Sequence, residues 1–336
     1  MVKEWSGPAV KRRTCAIITF LIFSLLITSA SLVWAYEYAS NEFMWSNGVA
    51  PVWQLLKKQV FAAPSTESGN ALMAWDGASN VFFYQPFTSV SQMWRLNLKT
   101  LSLVRIDKGN MAAAYSGATV VYAAGKLYFT LGGDYGYFYS MTTSGVLTSL
   151  SGIIIRAFAV GPPAPNFGCS MRWDGADTIW MLGANVQFAR YSIHSNTWTG
   201  LADYGNKSWL TEGTSITLVG NYVYGMAGAG QQIFQRYSIQ SNTWTSLAST
   251  PGTVYDGGQL AWDHGNYVYA FRGIGSQDFW RYDIATGQWQ ILGSLPVPAS
   301  SGSTLYYAGS GGFLAYIAEP DGLTSYGIVS NLYRYT

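Results

Sequence analysis

The chain has 336 residues, of which 49% are hydrophobic, 16% aromatic and 11% charged, a composition that can bury a large core and excludes an intrinsically disordered chain. Its formal charge is +2, but residues 1–35 hold four basic residues and one acidic residue (Lys3, Lys11, Arg12, Arg13 and Glu4). The remaining 15 basic and 16 acidic residues give a net charge of −1, which lacks the basic field of a nucleic-acid-binding protein and excludes nucleic acid as a partner.

The first predicted element is an apolar segment at residues 15–36, which has 22 residues and no charge. That length suffices to cross the hydrocarbon core of a bilayer as a helix. Basic residues 11–13 precede the segment and Glu37 follows it, so the positive-inside rule places the following chain outside the cytoplasm. We therefore predict a cytoplasmic basic tail at 1–14, a transmembrane signal anchor at 15–36, a linker at 37–50 and a folded domain at 51–336.

A cleaved signal peptide is the alternative interpretation of residues 15–36, with Val33-Trp34-Ala35 as its cleavage site. The chain would then be secreted instead of anchored. In both cases the folded domain lies outside the cytoplasm, in a periplasm or the extracellular space.

The folded domain contains internal repeats. A nine-residue segment that begins Arg-Tyr and ends in Trp occurs three times, at 190–198, 236–244 and 281–289. Weaker copies lie before and after these three in the chain. One equivalent position can be assigned in each of six units, with spacings of 43 to 53 residues between successive units. These positions are Leu96, Tyr139, Tyr191, Tyr237, Tyr282 and Tyr335. This period is typical of a four-stranded propeller blade. The fold class is therefore all-β, a six-bladed β-propeller of four-stranded blades.

The fifth unit shows the strand pattern most clearly. Alternating apolar residues and glycine-containing turns predict four strands, at 259–262, 267–271, 279–284 and 288–292. The sixth unit ends without an outer strand, and residues 52–56 closely repeat the outer strand of the fifth unit. We predict that this N-terminal strand closes the ring, because an open sheet edge is a liability.

These repeats resemble the Kelch-repeat family over residues 51–336. The resemblance lies in the third-strand tyrosine and the fourth-strand tryptophan, and in a glycine pair, Gly132-Gly133, that ends a second strand. Other second strands end in single glycines such as Gly183 and Gly273. The recurring tyrosines and tryptophans occupy equivalent positions in each unit, so we expect them to pack between blades.

Binding residues are expected on the face that carries the loops between second and third strands and the connections between blades, which the closing strand directs away from the membrane. Loops on a rigid scaffold are common places for binding, and polar groups beside aromatic rings suit a sugar or a protein surface. The candidate binding residues are Asp134, Tyr135, Tyr137, Asn166, Trp209, Tyr255, Asp256, Gln277, Asp278 and Asp321. Asn206 begins an Asn-x-Ser sequence that could accept a glycan.

No catalytic site is predicted. His194 and His264 fall in turns of different blades, so neither a metal site nor a cofactor is expected. No Gly-x-Ser-x-Gly nucleophile motif is present. Paired carboxylates could support glycoside hydrolysis only if the fold brought two of them to suitable separation.

Three functions remain open from the residues alone. The first is a non-enzymatic binding or scaffolding propeller, an accessory subunit of a membrane or cell-surface assembly whose partner is a protein. The second is an exported propeller that binds or cleaves a polysaccharide. The third is a self-assembling surface protein.

Overall fold

The structure, a computed structural model, describes most of the predicted repeat region, and its compact unit runs from Val52 to Thr336. The described residues are 53–58, 60, 71–85, 90–109, 111–114, 117–132, 136–152, 169–183, 187–205, 210, 213–273, 275–308, 312–320 and 328–335. The predicted tail, anchor segment and linker lie outside these ranges. Within them, no helix has the length and apolar character needed to cross a bilayer.

In these residues 24 strands form six four-stranded antiparallel sheets, the blades of a β-propeller. Blade 1 comprises β2 (Leu72–Trp75), β3 (Asn80–Gln85), β4 (Gln92–Asn97) and β5 (Leu103–Arg105). Blade 2 comprises β6 (Val120–Ala123), β7 (Lys126–Thr130), β8 (Phe138–Thr142) and β9 (Leu147–Ser149). Blade 3 comprises β10 (Ser170–Trp173), β11 (Thr178–Leu182), β12 (Phe188–Ser192) and β13 (Thr197–Gly200).

The other three blades follow the same order. Blade 4 comprises β14 (Ser215–Val219), β15 (Tyr222–Met226), β16 (Phe234–Ser238) and β17 (Thr243–Ser246). Blade 5 comprises β18 (Gln259–Trp262), β19 (Tyr267–Phe271), β20 (Phe279–Asp283) and β21 (Gln288–Ile291). Blade 6 comprises β22 (Thr304–Tyr307), β23 (Phe313–Pro320), β24 (Ile328–Tyr335) and, as its outer strand, β1 (Trp53–Lys57).

The blades form a closed ring, and the axis of such a ring is the central channel of a β-propeller. The first strand of each blade contacts the first strand of the next, and β22 of blade 6 contacts β2 of blade 1. β1 pairs antiparallel with β24, so that Trp53 lies opposite Tyr335 and Leu55 opposite Tyr333. The two ends of the repeat region therefore share one blade.

The six-bladed, four-stranded architecture predicted from the repeats is confirmed. In the fifth unit the first two strands have the predicted bounds and the other two differ by one residue. The Asp-containing turns after first strands are hairpins closed by their own carboxylates, as in blade 3, where Asp174 Oδ1 accepts from the backbone N–H groups of Ala176 and Thr178 at 2.8 and 3.0 Å. Asp76 and Asp263 make the same bonds.

The hydrophobic core consists of six clusters, one between each pair of neighbouring blades. A recurring group of three aromatic rings stabilises four of these interfaces. Between blades 3 and 4, for example, the ring centroid of Phe188 is 4.8 Å from that of Tyr237 and 5.0 Å from that of Trp244. The centroids of Tyr237 and Trp244 are 5.3 Å apart. The repeating tyrosines and tryptophans therefore act in packing, as expected.

We call the two ends of the channel the loop face and the turn face. The loop face carries the second-to-third strand loops and the connections between blades, and each first strand begins there. The turn face carries the first-to-second and third-to-fourth strand turns.

Neighbouring connections approach each other closely on the loop face. Gly213 and Gly257 occupy equivalent places just before β14 and β18, with φ angles of +85° and +86°. A Cβ at Gly213 would collide with the carbonyl oxygen of Tyr255, and one at Gly257 with that of Ser300. Both the backbone conformation and the contact therefore require glycine.

Hydroxyl groups link adjacent first strands near the loop face. At three of the blade interfaces in the described residues, the side-chain oxygen at the start of one first strand accepts from a backbone N–H of the next. These bonds are Ser170 Oγ to Ile216 N at 3.1 Å, Ser215 Oγ to Leu260 N at 3.0 Å and Thr304 Oγ1 to Met73 N at 3.4 Å.

Candidate binding face

Five of the ten candidate binding residues lie within the described structure. These are Tyr137, Tyr255, Asp256, Gln277 and Asp278. Asp134, Tyr135, Asn166, Trp209 and Asp321 lie outside the described residues, as does the potential glycan acceptor Asn206.

The connection between blades 4 and 5 holds Tyr255 in place. Val254 forms an antiparallel bridge with Gln231 in the second-to-third strand loop of blade 4. The Val254 N–H donates to the Gln231 carbonyl and the Val254 carbonyl accepts from the Gly230 N–H, both at 2.8 Å. The Tyr255 N–H donates to the Arg272 carbonyl at 3.1 Å. The ring of Tyr255 lies on Gly230, where an added Cβ would be 2.9 Å from Cε1, and the residue is 36% exposed. A fixed aromatic ring is thus presented to solvent.

Asp256 follows Tyr255 and is much less accessible. Burial raises the pKa of its carboxyl group, while hydrogen bonds from the Ser301 hydroxyl and the Gly257 N–H lower it by less. The carboxylate is therefore bound to the next connection, and no cation among the described residues offsets its desolvation.

Asp278 belongs to a polar cluster on blade 5 with Arg272. The Arg272 guanidinium bonds to Asp278 Oδ2 at 2.9 Å, with both side chains partly exposed, and its Nε–H donates to the Thr253 carbonyl at 3.0 Å. The equivalent of Arg272 in blade 4 is Ala227. The cluster therefore breaks the repeat symmetry, as a binding determinant would.

Gln277 has a structural contact that the repeat duplicates. Its side-chain amide donates to the Leu295 carbonyl at 2.7 Å. Gln232, the equivalent residue of blade 4, donates to the Thr250 carbonyl at 2.9 Å. Both amides hold the connection to the following blade, so this contact by itself gives Gln277 no function of its own.

Exposed apolar side chains on the loop face are distributed around the ring. Val90, in the second-to-third strand loop of blade 1, is 41% exposed, and Tyr137, in that of blade 2, is 54% exposed. Tyr255 lies between blades 4 and 5. These three side chains do not form one compact cleft but occupy separate sectors of the face.

A residue that the sequence analysis missed extends into the central channel. Arg172 of β10 donates from Nη1 to the Met171 carbonyl at 2.9 Å and from Nη2 to the Leu260 carbonyl of blade 5 at 3.1 Å. Its guanidinium carbon also lies 5.2 Å from the ring centroid of Tyr306 in blade 6. When the first strands are aligned on their preceding turns, the equivalents of Arg172 are uncharged: Ala74, Val121, Thr217, Ala261 and Tyr306. That lone charge is the signal that could have identified it.

The histidines lie apart from this face. His264 stacks on Trp262 at 4.6 Å on the turn face, and the backbone N–H of His194 bonds to Asp177 Oδ1 in blade 3. Over the described ranges, no three His, Cys, Asp or Glu side chains gather in a way that could hold a metal ion.

Comparison with solved structures agrees with the fold. The chain is similar to a structural genomics protein of unknown function from Bacteroides thetaiotaomicron, with a TM-score of 0.62 and 11% sequence identity, over 85% of this chain and 76% of the other. At that identity the likeness shows the fold alone. No family model matches the chain, and no curated protein matches it in sequence.

Proposed function

We propose that this chain is a non-catalytic, Kelch-type propeller that binds a protein partner across its loop face. It acts as an accessory subunit of a membrane or cell-surface assembly, held by residues 15–36 with the propeller outside the cytoplasm. A β-propeller is a rigid ring on which variable loops are displayed, and such folds commonly serve as binding scaffolds.

The Kelch-type assignment is supported by the third-strand tyrosine and fourth-strand tryptophan, which pair across the sheet in three blades. Tyr191 lies opposite Trp198, and the same register relates Tyr237 to Trp244 and Tyr282 to Trp289. The location is supported by the uncharged segment at 15–36 and the basic residues before it.

The distribution of exposed apolar residues carries the proposal of a protein partner. Val90, Tyr137 and Tyr255 lie in different sectors of the ring, so a ligand that contacts all three must span the loop face. A protein surface has that breadth, whereas a short sugar would contact one sector. Tyrosine and arginine, both present on this face, are favoured at the energetically important centres of protein interfaces.

The experiment is purification of the tagged full-length chain from native membranes in mild detergent after mild cross-linking, with quantitative mass spectrometry. We expect one or more proteins in stoichiometric amounts. Replacing Val90, Tyr137 and Tyr255 together by Ser should reduce the recovery of these proteins at least about tenfold, because exposed aromatic anchors typically contribute more than 1 kcal/mol each.

The matched control is the double variant Val146→Ser and Tyr222→Ser, which changes residues that are 50% and 37% exposed on the turn face. It should keep the partner. The proposal is wrong if no stoichiometric protein is recovered, or if the loop-face variant retains it. Retention of the wild-type chain on a polysaccharide, lost in Tyr255→Ser, would instead establish the carbohydrate alternative.

A further inference from the structure

We propose that the central channel contains an oxyanion-binding site in which the Arg172 guanidinium is the charged donor and the ligand is a carboxylate or phosphate group. This site is independent of the partner proposed for the loop face.

The position of the guanidinium is the first argument. Arg172 belongs to β10 in blade 3. Its guanidinium donates to the Leu260 carbonyl and to Gln259 Oε1 in blade 5, at 3.1 and 3.5 Å. It also lies over the ring of Tyr306 in blade 6. In a six-membered ring, blade 6 is opposite blade 3. A side chain that reaches both blades 5 and 6 must therefore lie near the axis, where a ligand in the channel would meet it.

No carboxylate of the described residues forms an ion pair with Arg172. Within the part of the chain that the structure describes, the ion pairs are Arg105 with Asp107 and Arg272 with Asp278. Arg172 is partly buried, and its hydrogen-bond partners among the described residues are two carbonyl oxygens and a glutamine oxygen. A partly buried cation with neutral partners favours the entry of an anion, because the attraction is screened less than in bulk water.

Unused donors are the second argument. A guanidinium has five N–H groups, and those of Arg172 that bond to described residues come from Nη1 and Nη2. The Nε–H has no acceptor among the described residues. The guanidinium lies over the ring of Tyr306, whose buried hydroxyl likewise lacks a partner there. The free Nε–H therefore gives this guanidinium a charge-assisted donor for one oxygen of a carboxylate or phosphate.

The approach route follows from the strand positions. The first strands run from the loop face toward the turn face. The guanidinium contacts Met171, Gln259 and Leu260. Each of these residues precedes Arg172, or its equivalent Ala261, in its strand and so lies nearer the loop face. The side chain therefore points toward the loop-face opening. An oxyanion that enters there meets the donors first.

Chemical protection of Arg172 tests the proposal on the unaltered, full-length chain. Phenylglyoxal modifies accessible guanidinium groups, and peptide mass spectrometry reports each arginine separately. Inorganic phosphate should slow the modification of Arg172 saturably, to about one third of its rate at twice the dissociation constant. Arg236, which also stacks on a tyrosine, 4.5 Å from the Tyr222 centroid, is the internal control and should react at a constant rate.

Three probes, namely phosphate, acetate and a triglutamate peptide, distinguish the sources of the oxyanion. Protection by phosphate or acetate, but not by a triglutamate peptide, identifies a free ion as the ligand. Stronger protection by the peptide identifies an acidic side chain of a protein. If none of the three probes slows the modification of Arg172 more than sodium chloride of equal ionic strength does, the proposal is overturned.

Variants provide the second measurement. Phosphate should raise the melting temperature of the wild type and of Arg236→Gln equally, and Arg172→Gln should lose that increase. Tyr306→Phe should weaken it by removing the hydroxyl group alone. An equal phosphate-dependent increase in Arg172→Gln and the wild type would contradict the site. If Arg172→Gln does not fold, the protection experiment on the wild type decides.

Discussion

The rings of Trp53 and Tyr335 lie 4.8 Å apart between centroids, although these residues stand at opposite ends of the repeat region. Phe279 of blade 5 contacts both, at 5.2 and 5.1 Å. This is the same three-ring arrangement that Phe234, Tyr282 and Trp289 form one blade earlier. The blade assembled from both ends of the region thus uses the packing of blades assembled from continuous chain.

Trp53 and Trp289 occupy equivalent places in their blades but differ in one hydrogen bond. Their substitution should therefore lower the free energy of unfolding by different amounts. The Trp289 indole N–H donates to the Ala248 carbonyl at 3.0 Å, whereas the buried indole N–H of Trp53 has no partner among the described residues. Trp289→Phe should therefore lower the free energy of unfolding by about 1 kcal/mol more than Trp53→Phe does. Urea denaturation of both variants measures the difference, and equal losses would refute it.

Gly257 allows a comparison of steric contact with backbone conformation. Gly257→Ala adds a Cβ against the Ser300 carbonyl at φ +86°, while Gly175→Ala adds one in open space at φ +84°. Both substitutions strain the backbone by about 1 kcal/mol, so any further loss in Gly257→Ala comes from the collision between connections. We expect Gly257→Ala to be at least about 2 kcal/mol less stable than Gly175→Ala. Thermal unfolding of the two variants checks this, and similar melting temperatures would contradict it.

Asn242 joins two strands and the connection that precedes its blade. Its Oδ1 accepts from the Tyr237 hydroxyl at 2.7 Å and from the Ala202 N–H at 2.9 Å, at a φ of +55°. Asn242→Ala should cost about 2 to 3 kcal/mol, because it loses both bonds and strains the backbone. Asn242→Gly should cost about 1 kcal/mol less, since glycine tolerates this φ and Gly287 occupies the equivalent place in blade 5. Denaturant unfolding would reject this account if the two variants were equally stable.

Asp256 should make the free energy of unfolding depend on pH in the acidic range. Because burial raises the pKa of its carboxyl group in the folded state, the native protein holds this proton more tightly than the unfolded chain does. Stability associated with Asp256 is therefore lost as the pH rises from the unfolded pKa, near 3.9, through the higher folded pKa. Asp256→Asn removes this loss and should unfold at an equal or higher temperature at pH 7. A lower melting temperature with an unchanged slope between pH 3 and 6 would count against this role.

Buried tyrosines should make the propeller sensitive to alkali. Burial raises the pKa of Tyr191 from 10.0 to about 12, with smaller contributions from Tyr128 and Asp177. The folded state retains the phenolic proton that the unfolded chain releases, so the stability contribution is complete below pH 10 and is lost as the pH rises through about 12. Tyr191→Phe should show a shallower decline in unfolding free energy between pH 10 and 12. An unchanged decline would show that Tyr191 does not titrate in this range.

The blade architecture was predictable because it depends on contacts that recur every 43 to 53 residues. The same repetition could have shown that Gln277 holds a connection, since Gln232 precedes it at the equivalent place. The reach of Arg172 was not predictable, because its partners Gln259 and Leu260 lie 87 and 88 residues further along the chain. Those contacts exist only once the ring is closed, and no local pattern specifies the direction of a side chain at its axis.

The pairing of β1 with β24 also determines how the propeller would bear mechanical load. Trp53, the first residue of β1, lies at the turn face, opposite Tyr335. A pull between the chain that precedes Trp53 and a partner held on the loop face would act along the axis of β1. Such a force loads the hydrogen bonds of the pair together, in shear, instead of breaking them one after another. The outer strand that completes blade 6 is therefore oriented to resist extraction by tension.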